Sequence, residues 1–144
     1  RHLCTAPSAS VTPIITKVSA PLSGLTASYS VNGYAAHAPN EGDDRGVISP
    51  TAALSSIVYT PEYSLQVMRH LYGMGDKVFG PYGVYDAFSE TDNWYPQRYL
   101  AIDQGPIADM IETYRSGLLW KLIKSQPDVQ QGLRKLGFTF AEAD

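Results

Sequence analysis

Apolar positions at helical spacing begin near residue 50 and recur almost to the end of the chain. Ser49 precedes Pro50, and "PTAALSSIV" follows. A capping residue with Pro at the first helical position predicts a short helix, here of small residues that can pack close to a neighbour. Thr60-Pro61 repeats the signal. "PEYSLQVMRHLY" then places Leu65, Met68, Leu71 and Tyr72 on one face, ended by Gly73 and Gly75. The strongest pattern spans about Pro106 to Ser125. Ile107, Met110, Ile111, Tyr114, Leu118 and Leu122 form one stripe, with Leu119 and Ile123 well around the cylinder. The polar sector is narrow (Asp109, Thr113 and Ser116), which predicts burial on more than one side. "PDVQQGLRKLG" starts a last helix at Pro127. Short links between helices imply antiparallel neighbours, and the lack of alternating strands and helices argues against a parallel sheet.

The remaining segments lack that pattern. Residues 1–45 are rich in Ser, Thr, Ala and Pro and are expected to be mostly loop. Val11 to Val18 and Leu25 to Val31 are candidate extended pieces, Asn32-Gly33 is a turn signal, and residues 41–46 form a second turn-rich stretch. Residues 76–98 carry "GPYGVYDAFSETDNWYPQRY", where Gly80, Pro81, Gly83 and Pro96 rule out a long helix. A long aromatic loop is expected there, of a kind that often carries function. The organisation expected is one unit over 1–144, loop-rich to residue 45 and built of helical hairpins over 46–144.

Composition narrows the function. Of 144 residues, 44% are hydrophobic and 17% charged, with a net charge of −3. No basic stripe supports nucleic acid as a partner. Cys4 is the single cysteine, which excludes an intrachain disulfide and a Cys-based zinc site, and His2, His37 and His70 show no ligand spacing. Neither a metal nor another cofactor is expected. No apolar run reaches the length of a membrane span. The chain starts at Arg1 without an initiator Met or a visible signal peptide, so a processed chain or a fragment is expected. Ten Tyr, four Phe and two Trp are many flat faces, and beside carboxylates they suit sugars.

Two groups of carboxylates stand out. Asp103-Gln104-Gly105-Pro106 lies at the start of the strongest helix. Asp103 there is either a capping residue or a carboxylate presented at a helix end. Gly105 leaves room for close approach, and Gln104 adds an amide for a hydroxyl. Asp86, Glu90 and Asp92 share the aromatic loop with Tyr82, Tyr85, Phe88, Trp94 and Tyr95, a mixture that either solvates a loop or lines a carbohydrate cleft. Glu41, Asp43 and Asp44 suit turns. Glu112 and Arg115 are spaced for an intrahelical pair. "GMGDKVFG" lacks the order of a phosphate loop, and Ser55 and Ser56 lack a nucleophile elbow.

Three blocks resemble the glycoamylase-like family of bacterial proteins, which includes the endo-β-1,2-glucanases of glycoside hydrolase family 144. They are "GLTASYSVNGYAAHAP" (24–39), "GVISPTAALSSIVYTPEYSLQVMRHLY" (46–72), and residues 80–122 with "GPYGVYDAF", "NWY" and "YLAIDQGPIADMIETYRSGLLWKL". The resemblance implies an all-α fold, the C-terminal hairpins of an (α/α)6 barrel whose N-terminal half is supplied from elsewhere. It implies hydrolysis of a β-linked glucan, β-1,2 by preference, with inversion and without a cofactor, in a periplasmic or secreted protein. Inversion needs an acid and a base roughly 6.5–9.5 Å apart. The resemblance puts Asp103 forward as the base, Asp86 as second choice, Tyr82, Trp94 and Tyr95 as stacking residues and Gln104 as a hydroxyl binder, with the general acid outside this chain. Two positions depart from the family pattern: Tyr29 stands where an acidic residue often follows "TAS", and Ala101 replaces the Gly of "LGIDQGP". A non-catalytic glycan-binding or structural helical module is the alternative.

Overall fold

A computed structural model describes residues 24–40 and 42–139. The extended piece expected over 11–18, together with His2, Cys4 and Glu41, lies outside them. The first described element is an antiparallel hairpin, β1 (Ser28–Ser30) and β2 (Gly33–Ala35), in which Tyr29 pairs with Tyr34. Gly33 has φ +101°, a conformation costly for any other residue, which is why the turn signal falls there. Two helices follow, α1 (Pro50–Leu54) and α2 (Pro61–Met74), each started by its proline. Ser49 does not cap α1; its hydroxyl turns inward instead. A second small hairpin joins β3 (Phe79–Gly80) to β4 (Gly83–Val84). An expectation of helices alone is therefore corrected: the chain is about half helical, with two two-stranded antiparallel sheets among its described residues.

The core forms where α1 and α2 meet the chain after β4. Ser64 Oγ donates to the Ala53 carbonyl at 2.8 Å, a buried bond across the two helices that small side chains make possible. Val67 and Leu71 face inward with Ser64, whereas Tyr72 is exposed and stacks on Phe79 at 4.9 Å. The inward face of α2 is thus rotated from the stripe expected from its apolar residues. Residues 84–89 are buried without interruption. Phe88 and Ile48 exchange backbone bonds of 2.8 and 2.9 Å, which ties this stretch to the entry of α1. Much of the expected aromatic loop is therefore the middle of the molecule. Ile48, Leu54, Val67, Leu71, Val84 and Phe88 pack together there.

The helix expected over 106–125 starts earlier and is divided. Helix α3 spans Ala101–Ser116, Gly117 ends it in a left-handed conformation at φ 69°, and α4 spans Leu118–Lys124, followed by α5 (Pro127–Lys135). Pro106 lies inside α3. It cannot bond to the carbonyl of Ile102, but that residue is exposed and water can take the acceptor. Burial on two sides is not found among the described residues: in α3 only Asp103 and Thr113 are buried, and in α4 and α5 none of the residues is. Ile102, Tyr114, Leu118, Trp120, Leu122 and Ile123 are exposed. Helix α3 is held through its packing on α1. Among the described residues no helix is long and apolar enough to cross a membrane.

Candidate active site

Three segments meet around two carboxyl groups. The buried stretch after β4 carries Asp86, which is fully buried. Its amide donates to the Arg98 carbonyl at 2.8 Å, and its carbonyl accepts the Ser49 hydroxyl at 2.9 Å. The backbone is thus clamped on both sides, which fixes where the side chain points. Hairpin β1–β2 lies over it, and the Tyr29 amide donates to Asp86 Oδ2 at 3.1 Å. The first turn of α3 brings Asp103, 6% exposed, whose carbonyl accepts the Thr51 hydroxyl at 2.9 Å. Asp103 makes no capping bond, since the helix begins two residues before it at Ala101. The capping role open from the sequence is corrected by this: the residue stands in the first turn with its carboxyl turned to the core.

The Asp86 and Asp103 carboxyls lie within hydrogen-bond reach of each other once one of them carries a proton. Asp86 Oδ1 and Asp103 Oδ2 are buried and meet no donor. Two carboxylate oxygens cannot bond without a proton, so one proton between them satisfies both. Burial first, and then the hydrogen bond and charge of Asp86, push the Asp103 carboxyl up from 3.8 to about 7. Asp103 also reaches a cleft of about 390 Å³, which Tyr34, Thr51, Ser55, Ser56 and Ile102 help to line. The arrangement can take or give one proton near neutral pH at a point open to a ligand.

This shift has a measurable consequence for stability. A carboxyl that titrates higher in the folded state keeps its proton there between pH 3.8 and about 7, while the unfolded chain has lost it. The folded state then binds more protons, and stability falls as pH rises through that window. Asp103→Asn removes the group. The melting temperature of the variant minus that of the parent is expected to increase from about pH 4 to about pH 8. A difference that is flat across this range would show that Asp103 titrates as an ordinary carboxyl.

The other residues singled out from the sequence are dispersed. Gln104 donates from Nε2 to the Val84 carbonyl at 2.8 Å, tying α3 to the β3–β4 hairpin. Tyr82 is 77% exposed and meets Tyr99 edge-on at 5.5 Å. Tyr95 packs on the core, parallel to Phe88 at 6.1 Å, with Lys77 over its ring. Trp94 is half-buried and pairs through its backbone with Ser89. None of Tyr82, Trp94 and Tyr95 lines the cleft at Asp103. A Cβ added at Gly105 would meet nothing, so the space left there is not filled by the described chain. Sequence reasoning missed Tyr34 and Thr51. The Asn32-Gly33 turn signal could have found Tyr34, because a tight hairpin there sets it opposite Tyr29. Thr51 carried no signal. Among the described residues no three His, Cys, Asp or Glu side chains converge as a metal site would require.

Residues 16–127 match the family model described as "Putative glucoamylase". A Parabacteroides distasonis protein, an exo β-1,2-glucooligosaccharide sophorohydrolase (non-reducing end), is 43% identical over 114 residues, covering 78% of this chain and 16% of that protein. An endo-β-1,2-glucanase from Chitinophaga pinensis, solved with sophorotriose and glucose, is 74% identical with a TM-score of 0.76, over 78% of this chain and 27% of its own. A Bacteroides caccae structure of the same glucoamylase description is 85% identical with a TM-score of 0.78, over 82% of this chain and 29% of its own. The chain thus spans well under a third of each of these relatives.

Proposed function

The chain belongs to the glycoamylase family, and from that premise we propose that it forms part of a hydrolase of β-linked glucan, β-1,2 by preference, and supplies one of its two catalytic carboxyl sites. The observation that carries this is the buried Asp86–Asp103 pair opening at Asp103 into a cleft. Relatives named for β-1,2-linked glucans support the substrate class. In this reading Asp103 is the base of an inverting reaction. It takes a proton from water as the water oxygen bonds to the anomeric carbon. The glycosidic C–O bond breaks on the opposite face, and a general acid protonates the leaving oxygen. Asp86 cannot be that acid. A hydrogen-bonded neighbour is far closer than the roughly 6.5–9.5 Å that inversion requires. The acid therefore belongs to residues outside this chain, in the remainder of an (α/α)6 barrel, and the protein acts in the periplasm or outside the cell. Tyr34, which lines the cleft, is the aromatic face best placed to meet a sugar.

The test is release of oligosaccharides from β-1,2-glucan by the full-length protein, with β-1,3- and β-1,4-glucans as controls. Release only from a control polymer overturns the linkage, and release from none overturns the reading. The isolated segment offers a second check. Without the rest of the barrel, Ile102, Tyr114, Leu118, Trp120, Leu122 and Ile123 face water. Expressed alone, it is expected to be inactive and to self-associate by light scattering. A stable, soluble monomer would count against a missing partner for these helices.

A further inference from the structure

We propose that Asp86 is a positioning residue, which shares one proton with Asp103 and is held in place for that by the Tyr29 amide. This rests on the reading of Asp103 as the base. Every polar group of Asp86 but one is already engaged: its amide on Arg98, its carbonyl on Ser49 and its Oδ2 on Tyr29. The one left is Oδ1, buried and without a donor, like Asp103 Oδ2. Asp86 is sealed from solvent at 0% exposure, so no substrate reaches it, whereas Asp103 lines the cleft. Asp86 Oδ2 is already taken by the Tyr29 N–H, so the shared proton sits between the other two oxygens. Burial keeps it on Asp103 below about pH 7, and above that it leaves to solvent through the cleft, which frees the carboxylate to act as the base.

Other charge near the pair is scarce. Arg98, the cation whose backbone bonds Asp86, lies over the Tyr29 ring at 3.9 Å and is exposed. The entry and first turn of α1 offer the neutral hydroxyls of Ser49 and Thr51, and α3 offers neutral Gln104. Among the described residues, Asp86 is the one charge that acts on Asp103. Its presence makes Asp103 a stronger base than an ordinary surface carboxylate.

The experiment compares full-length parent, Asp86→Asn and Asp103→Asn. In the parent, kcat/KM is expected to rise with pH through about 7 as Asp103 loses its proton. In Asp86→Asn the neighbouring charge is gone, so this limb moves down by about one pH unit or more, with a plateau about tenfold lower but well above that of Asp103→Asn. A folded Asp86→Asn with an unmoved limb would leave Asp86 a purely structural role and overturn the proposal. A loss equal to that of Asp103→Asn at every pH would overturn it as well. Infrared difference spectroscopy gives a readout that needs neither turnover nor a folded Asp86 variant. The parent at pH 6 minus Asp103→Asn is expected to show one protonated carboxyl, and its absence overturns the shared proton. If no glucan is cleaved at all, the glucanase reading fails, and the infrared result still decides the pair.

Discussion

Asp103→Asn in the full-length protein is expected to lower turnover of β-1,2-glucan by about 10²–10⁴-fold, the usual worth of a positioned acid or base. Asparagine keeps the shape but cannot take a proton from water. The fold should survive, because Asp103 makes no capping bond that the change would remove. Its backbone tie to Thr51 is untouched. The new amide can also donate to Asp86 Oδ1, which has no donor in the parent. Activity and stability should therefore part company: turnover collapses while the melting temperature near neutral pH holds or rises. A capping residue would give the reverse, about 1 kcal/mol of stability lost and turnover nearly intact. Steady-state kinetics and a thermal melt on one preparation separate the two, and turnover near that of the parent would sink the assignment.

The sequence carried this choice only part of the way. Proline-led starts at Pro50, Pro61 and Pro127 were readable because Pro presets the backbone of a first helical turn and loses nothing there. They appear where expected. The start of α3 was not readable in the same way. Gly105 and Pro106 look like punctuation, yet packing on α1 and the Thr51 bond hold the helix from Ala101 onwards. Asp103 and Asp86 could each be picked out as carboxylates among aromatics, but not as a pair. Their meeting depends on the Ile48–Phe88 bridge and on a hairpin amide from Tyr29, contacts that span 40 and 57 positions. No local pattern encodes such pairings. The apolar surround of α3 and α4 was legible too, but among the described residues nothing covers most of it. A sequence reports that a face wants cover, and not whether the same stretch of chain provides it.

Phe88→Ala is expected to have the largest effect on stability, about 3–5 kcal/mol. Phe88 is 2% exposed and belongs to the central cluster, with Tyr95 parallel to its ring. Truncation would remove that contact and leave a cavity that the bonded backbone cannot close, because residue 88 is tied to Ile48 in both directions. The effect should reach the site. Asp86 is two residues away on the same buried stretch, and its position depends on this backbone staying in register with Ser49. Activity measured well below the melting temperature should fall too, with the loss mainly in kcat, since the group displaced acts through the base Asp103 rather than on sugar binding. Phe88→Leu refills most of the space and should cost about 1.5 kcal/mol or less, with kcat largely restored. Chemical denaturation of the three proteins checks the first claim, and kinetics on the same samples the second. A cost below about 1 kcal/mol for alanine would mean that residues 84–89 are not the core that holds Asp86. Full activity in a strongly destabilised alanine variant would mean that Asp86 is positioned by the hairpin and Ser49 alone.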